Sequence, residues 1–167
     1  MAQINKGVVY IIIPLTAIVL AGCWFYSFTD KPYPDIENTF VEAFDNETDR
    51  YDLAPALTEG LINKLHGGAL LKITGRDNAQ SIISGTVTSH VLEAYSYTAE
   101  EEPLEFIVKI EARVKFTKVA SGKELWQATL EGFATYPADE STKDEETARE
   151  EAIALLVERI LDRLREG

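Results

Sequence analysis

The stretch Leu104 to Val119 constrains the fold most. Phe106, Val108, Ile110, Ala112, Val114 and Phe116 alternate with Ile107, Lys109, Glu111, Arg113, Lys115 and Thr117. Successive side chains of a strand point to opposite faces, so this pattern predicts a long strand with one apolar and one charged face. Such a strand belongs to a sheet covered on one side only. Ala120-Ser121-Gly122-Lys123 predicts a hairpin turn, after which Glu124 to Tyr136 returns as the partner strand, with Trp126, Ala128, Leu130, Gly132 and Ala134 on one side. Upstream, Ser81 to Thr98 is rich in Ile, Val, Thr and Tyr and predicts another strand, with Ile83, Gly85, Val87, Ser89 and Val91 sharing a face.

Two segments have helical rather than strand periodicity. Leu53, Leu57, Leu61 and Leu65 recur every fourth residue, widened by Ala54 and Ile62, and predict a helix over 53–65. Asp52 stands at its N-cap, Pro55 falls in the first turn where a missing N–H costs little, and Gly67-Gly68 supplies a stop. Residues 144–165 predict the second helix. Ala148, Ala152, Leu155, Leu156, Ile160 and Leu164 form its buried stripe, broadened by Ile153, Val157 and Leu161. Acids Asp144, Glu145 and Glu146 lie at its start and Arg159, Arg163 and Arg165 near its end, matching the helix dipole, and Glu145 and Arg149 are spaced to pair. Ile36 to Phe44 and Leu70 to Thr74 predict two shorter strands, separated from their neighbours by the polar runs Asp45–Asp49 and Gly75–Gln80. The order β-α-β-β-β-β-α predicts an α+β two-layer sandwich, with two helices packed on one face of a largely antiparallel sheet of about four strands.

The first 22 residues are different in kind. They carry one charge, Lys6, followed by the uncharged run Gly7 to Ala21. A basic start and a short apolar core form the pattern of a secretory signal. The run is shorter than the roughly 20 apolar residues of a spanning helix and contains Pro14. It ends in Leu20-Ala21-Gly22-Cys23, which resembles the lipobox of bacterial lipoproteins and holds the chain's only cysteine. That resemblance implies a signal peptide over residues 1–22, and a mature chain of residues 23–167 anchored by acylated Cys23. It also implies membrane attachment without a span, because two or three acyl chains on one residue make a stable anchor. Trp24 rather than Asp follows the cysteine, which under the lipoprotein sorting pattern favours the outer membrane. The mature chain, having lost Lys6, would go from a formal charge of −12 to −13 and sit on the periplasmic face.

Little in the sequence points to chemistry. No HExxH, GxSxG, P-loop or GxGxxG spacing occurs. His66 stands beside Gly67-Gly68 at a helix end, where it suits the last carbonyls, and His90 falls in a strand on the face of Thr86 and Thr88. Asp45, Glu47 and Asp49 alternate like the start of a calcium loop, but Arg50 replaces the required glycine and no glutamate follows at the twelfth position. An enzyme, a cofactor and a metal are therefore not expected. The net charge of −12 excludes nucleic-acid binding through phosphates. What stands out is Lys109, Arg113 and Lys115 on one strand face of an acidic chain. They suit an anionic partner, either phosphorylated lipid or an acidic protein surface, or else form an ordinary solvated face.

An ordered set of short motifs resembles the lipopolysaccharide-assembly lipoproteins (LptE-like). It comprises Cys23-Trp24-Phe25-Tyr26-Ser27-Phe28, Phe44-Asp45-Asn46-Glu47-Thr48, the helix Leu57 to Leu65, Gly85-Thr86-Val87-Thr88-Ser89, and Gly122-Lys123-Glu124-Leu125-Trp126. The resemblance implies two helices on a four-stranded sheet and a non-catalytic lipoprotein at the inner leaflet of the outer membrane. It further implies a β-barrel translocon partner whose assembly the protein assists and whose lumen it plugs, and it leaves direct contact with lipopolysaccharide open. No binding residue is carried over from the family. Two other readings suit an anchored sandwich: a lipoprotein regulator of a periplasmic cell-wall synthase, and a small-ligand-binding lipoprotein.

Overall fold

The computed structural model describes residues 32–67 and 70–167. The signal peptide, Cys23 and the aromatic run 24–28 lie outside the described residues, as does Gly68 of the helix stop. From Pro32 to Gly167 the chain forms one unit. Its elements are β1 (Asn38–Val41), β2 (Asp45–Asn46), α1 (Leu53–Gly67), β3 (Lys72–Ile73), a 3-10 turn (Arg76–Asn78), β4 (Ser81–Tyr97), β5 (Pro103–Lys118), β6 (Lys123–Pro137) and α2 (Glu145–Glu166).

Among the described residues the fold is α+β with two helices, but the sheet is mixed and six-stranded, in the order β3-β1-β4-β5-β6 with β2 also on β4. β1 is parallel to β3 and β4, and β2 is parallel to β4, while β4, β5 and β6 are antiparallel. The expectation of a largely antiparallel four-stranded sheet is thus corrected. The physical reason is α1. It acts as a crossover, which returns the chain in the direction it left and so lays β4 parallel to β1. The strand expected over Ile36–Phe44 is only Asn38–Val41, a further short strand, Asp45–Asn46, falls in the run read as a polar loop, and strands of two to four residues are too brief to show an alternation.

The core lies between the helices and one sheet face. α1 buries Leu53, Ala54, Leu57, Leu61 and Leu65. α2 buries Ala148, Ala152, Ile153, Leu156, Val157, Ile160, Leu161 and Leu164, with Leu155 only half-buried. They meet Ile83, Val87, Val108, Ile110, Ala112, Val114 and Phe116, all in the apolar cluster. Each fully buried Leu or Ile contributes about 1.5–3 kcal/mol. α2 lies directly on the backbone of β6: a Cβ built on Gly132 would fall 2.0 Å from the Ala152 carbonyl oxygen. Only glycine permits that approach.

The helix starts are tied together by charge. Asp144 accepts the Thr147 N–H at 2.9 Å and caps α2. At α1, the Asp52 carbonyl accepts from Ala56, while its carboxylate lies 3.2 Å from Arg149 Nε. The buried Arg149 guanidinium also meets Glu145 at 3.3 Å, the pair read from the sequence, and Glu146.

One irregularity reorders β4. Val87 faces Ala112 and Ser89 faces Glu111, leaving Thr88 as a β-bulge. An extra residue exchanges the faces beyond it. Ser89 and Val91 therefore join the open face rather than the core face of Ile83, Gly85 and Val87, and His90 turns to the helix side rather than to the face of Thr86. Both expectations from strict alternation are corrected by this single insertion. β4 is also long. Its 17 residues extend about 55 Å at 3.3 Å each, against about 33 Å for the 22 residues of α2.

Candidate functional site

The open sheet face, which carries neither helix among the described residues, holds the three cations, but it does not bring them together. Arg113 pairs with Thr86 and Thr129, and Lys115 with Ser84 and Gln127, so both stand on neighbouring rungs of the same face. Lys109 is four residues along β5 from Arg113, about 13 Å at 3.3 Å per residue. Its ammonium lies 2.5 Å from Glu93, a hydrogen bond that raises its pKa. Lys109 is thus locally neutralised, whereas Arg113 and Lys115 are exposed and form no ion pair among the described residues. The candidate site contracts to these two.

A cleft of about 460 Å³ opens beside them, lined by Glu42, Ala43, Asp45, Ser84, Gly85, Thr86, Arg113 and Lys115. Its origin is a mismatch in pairing. β1 follows β4 to Val41 opposite Ile83, and β2 resumes at Asp45 opposite Thr86. Three residues, Glu42 to Phe44, therefore face two, Ser84 and Gly85, and the chain lifts off β4. Phe44 folds into the core, its N–H donating to Thr58 Oγ1 of α1 at 3.0 Å. The ring presses on Gly85, where an added Cβ would lie 2.6 Å from both the ring and the Arg113 carbonyl oxygen. Gly85 thus lets Phe44 pin the floor of the cleft.

The cleft's charge is mixed. Glu42 is taken up by Arg76 at 2.6 Å, and Asp45 adds one exposed carboxylate opposite the two free cations. A ligand with separated anionic and hydroxyl groups, or an acidic and polar protein surface, fits this lining. No nucleophile–base pair is present in it. Among the described residues, no group of three His, Cys, Asp or Glu side chains could hold a metal ion. Among them, too, no helix is long and apolar enough to cross a membrane. His66 is exposed at the end of α1. His90 lies under the helix starts, its Nε2 buried without a hydrogen-bond partner among the described residues. Burial lowers its pKa, and Arg50 and Arg149 lower it further against Asp49 and Glu145.

Sequence reasoning found Arg113 and Lys115 but missed Gly85, Phe44 and Thr58, which shape the cleft. The signal for them was a glycine inside a strand pattern, which marks a bulge or close packing.

The lipopolysaccharide-assembly family model, LptE, matches residues 36–164. No curated protein matches the chain in sequence. Among solved structures, a hypothetical protein from Chlamydia trachomatis superposes with a TM-score of 0.57 at 10% identity, over 78% of this chain and 96% of that one. A protein from Xanthomonas campestris gives 0.51 at 10% identity, over 77% and 85%. The PelC dodecamer from Paraburkholderia phytofirmans gives 0.50 at 19% identity, over 77% and 87%. At these identities the likeness is one of fold.

Proposed function

The chain belongs to the lipopolysaccharide-assembly family, and from that premise we propose that it is an outer-membrane lipoprotein, anchored through Cys23 on the periplasmic face, that assists assembly of the β-barrel lipopolysaccharide translocon and plugs it. The observation that carries the reading is the match over 36–164, which takes in both helices and all six strands. The role needs no catalysis. A barrel wide enough for a glycolipid has a polar lumen to be filled or gated, and a compact sandwich with one polar sheet face suits that task. A lipid anchor raises its effective concentration beside the barrel.

The described chain starts packed against the domain. Pro32 lies against Gly167 at the end of α2, Tyr33 packs edge-on to Phe116 at 5.0 Å, and Asp35 pairs with Lys118 at 3.5 Å. A tether from Cys23 to Pro32 spans at most about 32 Å. The described chain begins at the end of the sheet that carries Lys118 and Lys123. Arg113 and Lys115 are the residues proposed to meet an anionic partner.

A tagged full-length protein should retain a β-barrel from solubilised outer membranes, and its depletion should remove surface lipopolysaccharide. Retention of no barrel would sink the reading. Altered peptidoglycan with normal surface lipid would favour the cell-wall regulator instead. Cys23→Ala should leave an unprocessed, non-acylated precursor, and acylation of that variant would refute the anchor.

A further inference from the structure

Beyond Val87 the outer side of β4 has no strand beside it among the described residues. The last bond across this edge is the Glu47 N–H to the Val87 carbonyl at 2.9 Å, where β2 stops. Val87 therefore turns its backbone groups outward to β2. In an antiparallel ladder the residues that bond to one neighbour alternate with those that bond to the other. The Thr88 bulge shifts that alternation by one, so His90, Leu92 and Ala94 carry the outward N–H and C=O groups. A second irregularity follows at Tyr95, between Ala94 and Ser96. The two bulges bound a regular stretch of free edge, Ser89 to Ala94.

This stretch and the hairpin beyond it are unusually apolar on their surface. Val91 is 37% exposed, Leu92 42%, Tyr95 60%, Tyr97 59% and Leu104 53%, which makes five of the eight large hydrophobic residues exposed among the described ones. The same arm is acidic apart from Lys109, which stands opposite Val91 and is taken up by Glu93. Between Val91 and Val108 stand Glu93, Glu100, Glu101, Glu102 and Glu105, with no Lys or Arg. The tip is an ordered turn in which the Thr98 hydroxyl accepts the N–H groups of Glu100 and Glu102 and the Thr98 N–H donates to the Glu102 carbonyl. Exposed strand edges are normally shortened, charged with lysine or covered. This one has aromatic residues and acids instead.

We propose that the outer edge of β4 from Ser89 to Ala94 is a strand-docking site for an extended, lysine- or arginine-bearing segment of the protein partner. Main-chain bonds to His90, Leu92 and Ala94 would supply affinity, Val91 and Tyr95 the apolar contact, and the glutamates the selection for positive charge. A second copy of this chain is a poor occupant, because it would bring two acidic arms together. An anionic bilayer is repelled for the same reason. The inference rests on the barrel reading for the identity of the partner.

The test uses the full-length lipoprotein alone and in complex with the barrel co-purified from outer membranes. Hydrogen exchange at His90, Leu92 and Ala94 should slow by about a hundredfold in the complex only. Leu92→Pro removes one outward N–H and leaves the β5 ladder its bonds, so it should weaken barrel retention about tenfold. The triple variant E100Q/E101Q/E102Q does not touch the ladder, and should reduce both the association rate and its sensitivity to salt. A complex that forms with unchanged exchange at these amides overturns the docking site and leaves the barrel reading intact. Protection in the barrel-free protein that rises with its concentration would overturn it in favour of self-association. Failure to retain any barrel would remove both proposals.

Discussion

β4 passes through two environments. From Ser81 to Val87 it lies between β1, β2 and β5 under the helices, and Ile83 and Val87 are fully buried. From Ser89 to Tyr97 it has one strand neighbour, and Val91, Leu92, Tyr95 and Tyr97 are exposed. Both halves contain residues that favour strands, Ile82, Ile83, Thr86 and Val87 in the first and Val91, Tyr95 and Tyr97 in the second. What separates them is their surroundings: the first half is a structural member and the second a free arm. Charge follows the same division. The end of the sheet where the chain enters carries Arg113, Lys115, Lys118 and Lys123, and the far arm carries only acids between residues 91 and 108.

The comparison is broken most severely by disturbing the helix cover where the two regions meet, on the row of His90, Ile110 and Gly132. Gly132→Val should cost about 3 kcal/mol or more, because α2 must lift off β6 to admit any side chain. Thermal or urea unfolding reads this directly. Tyr95→Ser on the free arm should leave the midpoint nearly unchanged. If both variants unfold alike, the arm is packed against something and is not free.

The second test concerns the tie between the helix starts. Arg149→Met removes a cation that is only 7% exposed while its three carboxylate partners are 32–64% exposed. The loss should be about 2 kcal/mol, between the values for exposed and for buried pairs. A double-mutant cycle with Asp52→Asn isolates the bond that joins α1 to α2, and a coupling near zero would show the helices to be held by apolar packing alone.

The long elements were legible in the sequence because their periodicity persists. The alternation of Phe106 to Phe116 and the four-residue spacing of Leu53 to Leu65 each repeat often enough to declare a face, and both faces are buried as read from Val108 on and along the helix, while Phe106 is half-buried and Ile107 on the other face is buried. The Glu145–Arg149 pair was legible for the same reason, being local. The parallel half of the sheet was not, since β1, β2 and β3 are a few residues each and owe their pairing to a crossover that leaves no local trace. The Thr88 bulge was equally silent, because one inserted residue changes parity without changing composition, and so His90 and Val91 were assigned to the wrong faces. Of the candidate site, Arg113 and Lys115 could be named from charge alone. That Lys109 stands apart needed the position of Glu93 on the adjacent strand.

A smaller effect comes from His90, at the boundary between the two halves of β4. Its pKa is below the ordinary 6.5, chiefly through burial. The unfolded chain therefore binds a proton more readily than the folded one. The stability associated with the neutral imidazole is complete above about pH 6.5 and is lost as pH falls toward the lowered folded value. His90→Gln should flatten the dependence of the unfolding midpoint on pH just below about 6.5. This window lies above the carboxylate range, where Asp139 and Asp144, both below 3.8, lose their contribution. An unaltered slope would mean that His90 is solvated like a residue of the free arm.

The smallest effect on stability is expected where binding should change most. Arg113→Glu with Lys115→Glu reverses both unpaired cations of the cleft. Their side chains point away from the helices and touch no ion-pair partner among the described residues, so the midpoint should move by less than about 0.5 kcal/mol. Any loss of barrel retention or lipid binding can then be assigned to the surface and not to unfolding. Reversing Lys109 provides the control, because its charge is already held by Glu93, and it should affect binding less than the pair at the cleft. Affinity unchanged in both variants would make the open face beside the cleft a solvated surface, leaving the acidic arm as the end of β4 with a partner to meet.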